Sequence, residues 1–145
     1  MSRMIFINLP VADLPKAMTF YAALGFTNEP KFTDETAACM RLSDDIFVML
    51  LTHDKFGQFT PRPIADANAG SEVLLCLSCE SRESVDSTIE RAVTAGGTAD
   101  PASKQDYGVM YGRSVADPDG HIWEIMWMDP AAAEQGASAI ETQEA

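Results

Sequence analysis

The sequence contains only two histidines, His53 and His121, among its 145 residues. A Ser-His-Asp triad needs an imidazole at a defined place, so this shortage argues against one. The chain also lacks a glycine-rich phosphate loop and a nucleotide-binding fingerprint. We therefore expect neither ATP nor NAD dependence.

Basic residues are scarce as well, because 10 Lys and Arg stand against 22 Asp and Glu, which gives a net charge of −12. Such a field repels phosphate backbones and anionic membrane surfaces, so we expect no nucleic-acid and no membrane partner. The acidity itself identifies no partner, since an acidic surface commonly serves only to keep a protein soluble.

The chain has no apolar run of membrane-spanning length, and its first residues lack the pattern of a secretory signal. These absences predict a cytoplasmic protein. Three cysteines, an odd number, argue against a disulfide framework. Cys76 and Cys79 lie in the strand-like segment 73–79, where residues three apart face opposite sides, so we expect structural thiols and not a metal or redox pair.

Apolar residues make up 46% of the chain, which is enough for one compact unit. The first third of the chain has a distinct order of predicted elements. Residues 4–9 are typical of a strand. A helix is predicted over 14–24, with Asp13 as its N-cap and Gly25 as its C-cap. Three shorter strands are predicted to follow, over 27–32, 36–42 and 46–51.

The second half repeats this β-α-β-β-β order, which is the signature of an internal duplication. A strand is predicted at 73–79, a helix that opens at Glu80-Ser81 and closes at Gly96-Gly97, and strands at 98–99, 109–115 and 121–128. Asp117-Pro118-Asp119-Gly120 has strong turn chemistry between the last two strands.

These patterns predict an α+β fold of two tandem βαβββ modules that form a curved mixed sheet around a cleft, with the helices on its convex face. The predicted divisions are a first module at 1–54, a connection at 55–71, a second module at 72–129 and a flexible acidic tail at 130–145. A helical turn at 131–135 is the alternative for part of that tail. Pairing of the modules within one chain or across a dimer is left open.

Two segments carry a resemblance to a known family. Asn8–Leu14 is followed by Phe20-Tyr21 and Leu24–Phe26, and residues 117–124 read Asp-Pro-Asp-Gly-His-Ile-Trp-Glu. Over residues 3–129 the chain resembles the vicinal oxygen chelate superfamily, which includes glyoxalase I, bleomycin-resistance proteins and extradiol dioxygenases. Residues 81–86 and 107–113 look like a bacterial branch described as predicted lactoylglutathione lyases.

The resemblance implies a homodimer and up to four metal ligands, one from the first and one from the last strand of each module. In this sequence those positions are Phe6, Val48, Leu74 and Glu124, of which only Glu124 can bind a metal. We therefore expect no resident cofactor, with a divalent metal as the alternative. His53 and His121 are expected in a solvated loop and in turn packing.

Strand alternation places Glu124 and Met126 on the cleft face of the last strand, with Phe6 and Asn8 on the same side of the first. Glu124 is the candidate catalytic group, as a base or a hydrogen-bonding partner. The predicted ligand-binding residues are Phe6, Asn8, Val48, Leu74, Tyr111, Arg113 and Met126.

Three functions follow from these observations. The first is a small-molecule-binding protein of the bleomycin-resistance kind without the complete metal site. The alternative is a metal-dependent lyase or isomerase similar to lactoylglutathione lyase that uses Glu124. A third is a scaffold whose cleft is filled by its own side chains.

Overall fold

A computed structural model describes residues 2–139 of the protein. These residues form two successive units, each of which consists of a strand, a helix and further strands. The first unit consists of β1 (Ile5–Val11), α1 (Leu14–Leu24), β2 (Thr27–Glu29), β3 (Ala37–Arg41) and β4 (Ile46–Thr52). After a short helix, α2 (His53–Gly57), and an irregular segment, the second unit consists of β5 (Leu75–Ser78), α3 (Arg82–Thr94), β6 (Thr98–Ala99), β7 (Gln105–Asp106), β8 (Met110–Ala116) and β9 (Ile122–Met128).

Local sequence explains where the elements of the first unit begin and end. The Asp13 carboxylate accepts a hydrogen bond from the Lys16 backbone N–H at the start of α1. Gly25 ends the helix with φ of 109°, a left-handed conformation that favours glycine. The strand predicted at 27–32 stops at Glu29, because Pro30 has no N–H to donate and begins a 3-10 turn instead.

The strands form two mixed sheets with the same internal order, β1-β4-β3-β2 and β5-β9-β8-β6, and β7 adds to β8. The first and last strands of each unit are parallel, while the other neighbours are antiparallel. The predicted α+β class of two βαβββ modules is confirmed. The modules pack against each other within the chain through α1 and α3.

A single hydrophobic core spans both modules. In the first module, alternate residues of β1, namely Ile7, Leu9 and Val11, pack under α1. In the second, Trp123 and Ile125 of β9 occupy the matching position beneath α3. Because each sheet has one apolar face, the two modules complete one another's core.

A buried hydrogen-bonded chain joins the modules at the centre of this core. The Trp123 indole N–H donates to the Tyr21 hydroxyl, which donates to the Asp117 carboxylate at 2.7 Å. The second oxygen of Asp117 accepts the backbone N–H groups of Asp119 and His121. Burial raises the pKa of both Tyr21 and Asp117.

The turn at Asp117–Gly120 also holds the end of β1. The Asp119 carboxylate accepts a hydrogen bond from the Ala12 backbone N–H at 2.8 Å. The His121 ring nitrogen Nε2 is hydrogen-bonded to the Pro10 carbonyl at 2.9 Å. The Asp117–Gly120 turn of the second module therefore fixes the junction between β1 and α1 in the first module. His121 packs at the turn, as the sequence predicts.

The segment after β9 differs from the predicted flexible tail in its first part. Residues Pro130–Gln135 form α4, which is capped by Asp129 and has Ala132 buried against the body. The structure thus has the helical turn that the sequence offers as the alternative at 131–135. Residues 140–145 of the predicted tail lie outside the residues that the structure describes. Across residues 2–139, none of the helices is long and apolar enough to span a lipid bilayer.

Tyr21→Phe is expected to lower the free energy of unfolding by about 2 kcal/mol, because it leaves a buried indole N–H without an acceptor and a buried carboxylate without a donor. Urea unfolding followed by tryptophan fluorescence measures the loss. Tyr107→Phe is the matched control, since the Tyr107 hydroxyl makes no hydrogen bond within residues 2–139. Equal losses in the two variants would contradict a special contribution from the buried chain.

Candidate functional site

A cavity of about 370 Å³ lies where the two modules meet the segment that connects them. One wall is the end of β1, at Asn8, Leu9 and Pro10. Leu75 of β5 and the residues Gly120, His121 and Ile122 form the opposite wall. Because both modules contribute, the cavity exists only when they are packed together.

The connecting segment, residues 53–74 between β4 and β5, supplies the rest of the lining. Its apolar contribution includes Phe56, Pro63, Ile64 and Val73, and its polar contribution includes Thr60, Arg62, Ser71 and Glu72. The wall thus combines apolar side chains with several polar groups, and both kinds occur in small-molecule sites.

Asn68 ties this segment to the body of the protein. Its side-chain amide donates to the Asp119 carbonyl at 3.2 Å, and its own backbone N–H is bonded to Asp66. Gly120 permits this approach, because a Cβ at Gly120 would collide with Asn68. The turn at Asp117–Gly120 therefore also positions the segment that lines the cavity.

Of the predicted ligand-binding residues, Asn8 lines the cavity. Its side-chain N–H donates to the Phe6 carbonyl at 3.3 Å, which leaves the amide oxygen of Asn8 available as an acceptor. Leu74 is 56% exposed directly before β5, between the lining residues Val73 and Leu75. A role for Asn8 or Leu74 in binding stays a prediction.

Phe6 lies on the face of the first sheet away from α1, as predicted, where its ring stacks on Phe47 at 4.7 Å. The placement of Val48 on that face is wrong, because Val48 is fully buried in the core. The parallel register pairs Phe6 with Phe47 and Ile7 with Val48. Since side chains alternate along a strand, the residue that shares the face of Phe6 is Phe47.

Glu124 lies half-buried on the face of β9 away from α3, together with Ile122 and Met126. It stands between Cys76 of β5 and Ser114 of β8. Partial burial raises the pKa of the Cys76 thiol, and the Glu124 charge raises this pKa further. The Cys76 thiol therefore forms the reactive thiolate less readily than a free cysteine does. Ile122 lines the cavity, but Glu124 and Met126 lie beyond its wall.

Tyr111 and Arg113 face α3 and not the cleft, which corrects their predicted place in the site. The Tyr111 hydroxyl donates to Asp86 at 2.7 Å, and the Arg113 guanidinium is bonded to Asp86 and Asp100. Along β8, Tyr111 and Arg113 alternate with Gly112 and Ser114, and Ser114 pairs with Glu124 of β9. Tyr111 and Arg113 therefore lie on the opposite face of the sheet from Glu124. Their polar groups therefore hold helix and sheet together.

The residues at the four family metal positions do not fit a divalent ion. Phe6, Leu74 and either Val48 or Phe47 offer no lone pair, so Glu124 would be the only protein ligand. Within residues 2–139, no group of three or more His, Cys, Asp and Glu side chains is arranged to hold a metal.

Sequence reasoning missed the lining residues between Phe56 and Val73. A signal was available, because a connection of this length without regular structure is uncommon in a compact domain unless it has a function. The composition of the segment indicates irregular backbone but does not indicate which of its side chains line a cavity.

A sequence model of the Glyoxalase/Bleomycin resistance protein/Dioxygenase superfamily matches residues 3–125. The chain therefore belongs to this superfamily. No functionally curated protein is similar enough to match.

Solved structures of the same kind share the fold. Hypothetical protein SA1046 from S. aureus is 26% identical with a TM-score of 0.72, covering 88% of this chain and 95% of that chain. A glyoxalase-related enzyme from Fulvimarina pelagi is 23% identical with a TM-score of 0.72, covering 88% of each chain. A family enzyme from Burkholderia phytofirmans PsJN is 18% identical with a TM-score of 0.69, covering 88% of this chain and 99% of that chain.

Arg113→Met is expected to lower the free energy of unfolding at neutral pH by about 1–2 kcal/mol, because Asp86 and Asp100 lose a partly buried partner. The Tyr111 and Arg113 hydrogen bonds lower the pKa of Asp86, and those from Arg113 lower the pKa of Asp100. A lowered folded-state pKa stabilises the protein above the ordinary value of 3.8 and stops doing so as pH falls through the folded-state value.

The stability difference between wild type and Arg113→Met should therefore be full at neutral pH and shrink below pH 3.8. Thermal unfolding across this range measures it. Arg41→Met is the control, because Arg41 pairs with Glu29 and Asp44 at a side-chain exposure of 45%. A difference for Arg113→Met that did not change on acidification would mean that packing, and not the ion pairs, carries the effect.

Proposed function

We propose that this protein binds a small, largely apolar molecule in the cavity between its modules and does so without a metal ion. The observation that carries the proposal is the position of the cavity, which is lined by both modules and by the connecting segment. Its volume of about 370 Å³ lies within the usual range of small-molecule sites.

The character of the lining supports binding in preference to a closed scaffold. Phe56, Ile64 and Val73 face the same space as Leu75 and Ile122, so an apolar ligand would replace water along several walls at once. A scaffold whose cleft is filled by its own side chains would leave no such volume.

The alternative is a metal-dependent lyase or isomerase similar to lactoylglutathione lyase, with Glu124 as base. Two observations weigh against it. Glu124 stands alone among the four family ligand positions, and it lies outside the cavity wall. Homodimerisation and a cytoplasmic location stay predictions from the sequence.

Cavity binding predicts that N-phenyl-1-naphthylamine, an uncharged fluorescent probe, binds at one site per chain. Ala67→Phe is expected to weaken binding roughly tenfold or more, because Ala67 lines the cavity and the added ring fills it. Ala69→Phe is the matched control two residues away, since Ala69 is exposed and outside the lining. Fluorescence titration of the three proteins measures the affinities, and undiminished binding to Ala67→Phe would place the probe elsewhere and overturn the proposal.

Metal independence predicts no stoichiometric binding of micromolar or tighter affinity when chelator-treated protein is titrated calorimetrically with Zn²⁺, Ni²⁺, Mn²⁺ or Mg²⁺. Glu124→Gln should then behave as wild type, because a single carboxylate with only Cys76 and Ser114 as polar neighbours on the adjacent strands does not compensate for lost hydration of the ion. Tight binding that Glu124→Gln abolishes would contradict the metal-free proposal and make the hemithioacetal lyase reaction the next assay.

A further inference from the structure

Two charged side chains of opposite sign line the cavity, Arg62 and Glu72. Both are exposed, and neither forms an ion pair with the other or with any other residue in the part of the chain that the structure describes. His121 also lines the cavity, but its ring is bonded to the Pro10 carbonyl. Arg62 and Glu72 are therefore the charges that a bound ligand would meet.

Three arginines, Arg3, Arg62 and Arg91, have no carboxylate partner within residues 2–139, and of these Arg62 lines the cavity. Arg41, Arg82 and Arg113 are each bound to at least one carboxylate. Arg62 lies in a chain with 22 acidic and 10 basic residues and yet has no acidic partner. Its charge is thus available to a ligand at the cavity.

The backbone at Arg62 is fixed in place before any ligand arrives. Pro61 and Pro63 flank it, and proline restricts both its own φ and the conformation of the residue before it. The Thr60 hydroxyl accepts the Arg62 backbone N–H at 3.1 Å and donates to the Arg62 carbonyl at 3.3 Å. A fixed backbone lowers the entropy cost of holding the guanidinium against a ligand.

A ligand in the cavity lies near both charges. A simple anion would be attracted by Arg62 but repelled by the Glu72 carboxylate, and a simple cation would be attracted by Glu72 but repelled by Arg62. A molecule with both charges leaves neither unpaired. Because it has no net charge, it is also not repelled by the protein's net charge of −12 on approach.

We propose that the cavity is specific for a small zwitterion, with a carboxylate that pairs with Arg62, an ammonium that pairs with Glu72, and an apolar body that packs against Phe56, Ile64 and Ile122. This inference rests on the proposed binding function and names the chemical class of its ligand. Bidentate pairing of a guanidinium with a carboxylate is the geometry that arginine favours.

Five probes of similar size and different charge test the proposal. Phenylalanine and 4-(aminomethyl)benzoate are zwitterions with close and distant charges, 3-phenylpropanoate is an anion, 2-phenylethylamine is a cation and 3-phenylpropanamide is uncharged. Each competes with N-phenyl-1-naphthylamine, so occupancy of the cavity is measured independently of charge. We expect at least one zwitterion to bind roughly tenfold tighter than any of the other three.

Two substitutions separate the contributions of the charges. Arg62→Gln should remove the advantage of the zwitterion over 2-phenylethylamine, and Glu72→Gln should remove its advantage over 3-phenylpropanoate. The affinity of each competitor is compared with that of N-phenyl-1-naphthylamine measured on the same variant, and far-UV circular dichroism shows that both variants are folded.

Equal affinity for charged and uncharged competitors, with N-phenyl-1-naphthylamine still bound, would overturn the zwitterion proposal and leave the binding function intact. Tightest binding of 3-phenylpropanoate, unaffected by Glu72→Gln, would overturn it in favour of a simple anion. Failure of N-phenyl-1-naphthylamine itself to bind would count against the proposed function and this inference together.

Discussion

The hydrogen-bonded chain from Trp123 through Tyr21 to Asp117 is the constraint on which the rest of the structure depends. It crosses from the second module into the first and back, so its groups are satisfied only when the modules are docked. An unpaired carboxylate or indole at this depth would cost several times the value of an exposed hydrogen bond. The chain therefore favours one relative placement of the modules, whereas apolar packing alone would tolerate several.

The cavity follows from that placement. Asp117 fixes the turn at Asp117–Gly120, and the same turn holds Pro10 through His121 and the connecting segment through Asn68. Glu124 lies on β9 with Ile122 but outside the cavity wall, so the one family ligand position that still carries a carboxylate is separate from the cavity. This separation is what supports the proposed binding function over metal-assisted catalysis.

Local patterns in the sequence predict much of the fold, including the capped helix α1, the repeated β-α-β-β-β order and the turn before β9. They predict strand faces less well, because a one-residue error in register reverses every side chain of a strand. Aligning the two modules by their turns placed Val48 on the open face, where the parallel pairing places Phe47. Arg113 was misplaced because its partners, Asp86 and Asp100, are distant in sequence. The cavity lining depends on how the irregular segment folds back, which no local pattern specifies.

Most of the cavity wall comes from the connecting segment, while the residues that hold the modules together lie elsewhere in the chain. Substitutions at Arg62, Ile64 or Glu72 change the cavity wall without removing a core contact, because none of these side chains is buried. The shape and charge of the wall can therefore diverge among descendants of this chain independently of folding stability. A few neighbouring codons are enough to remodel the wall, provided that Asn68 and Gly120 are retained to keep the segment in place.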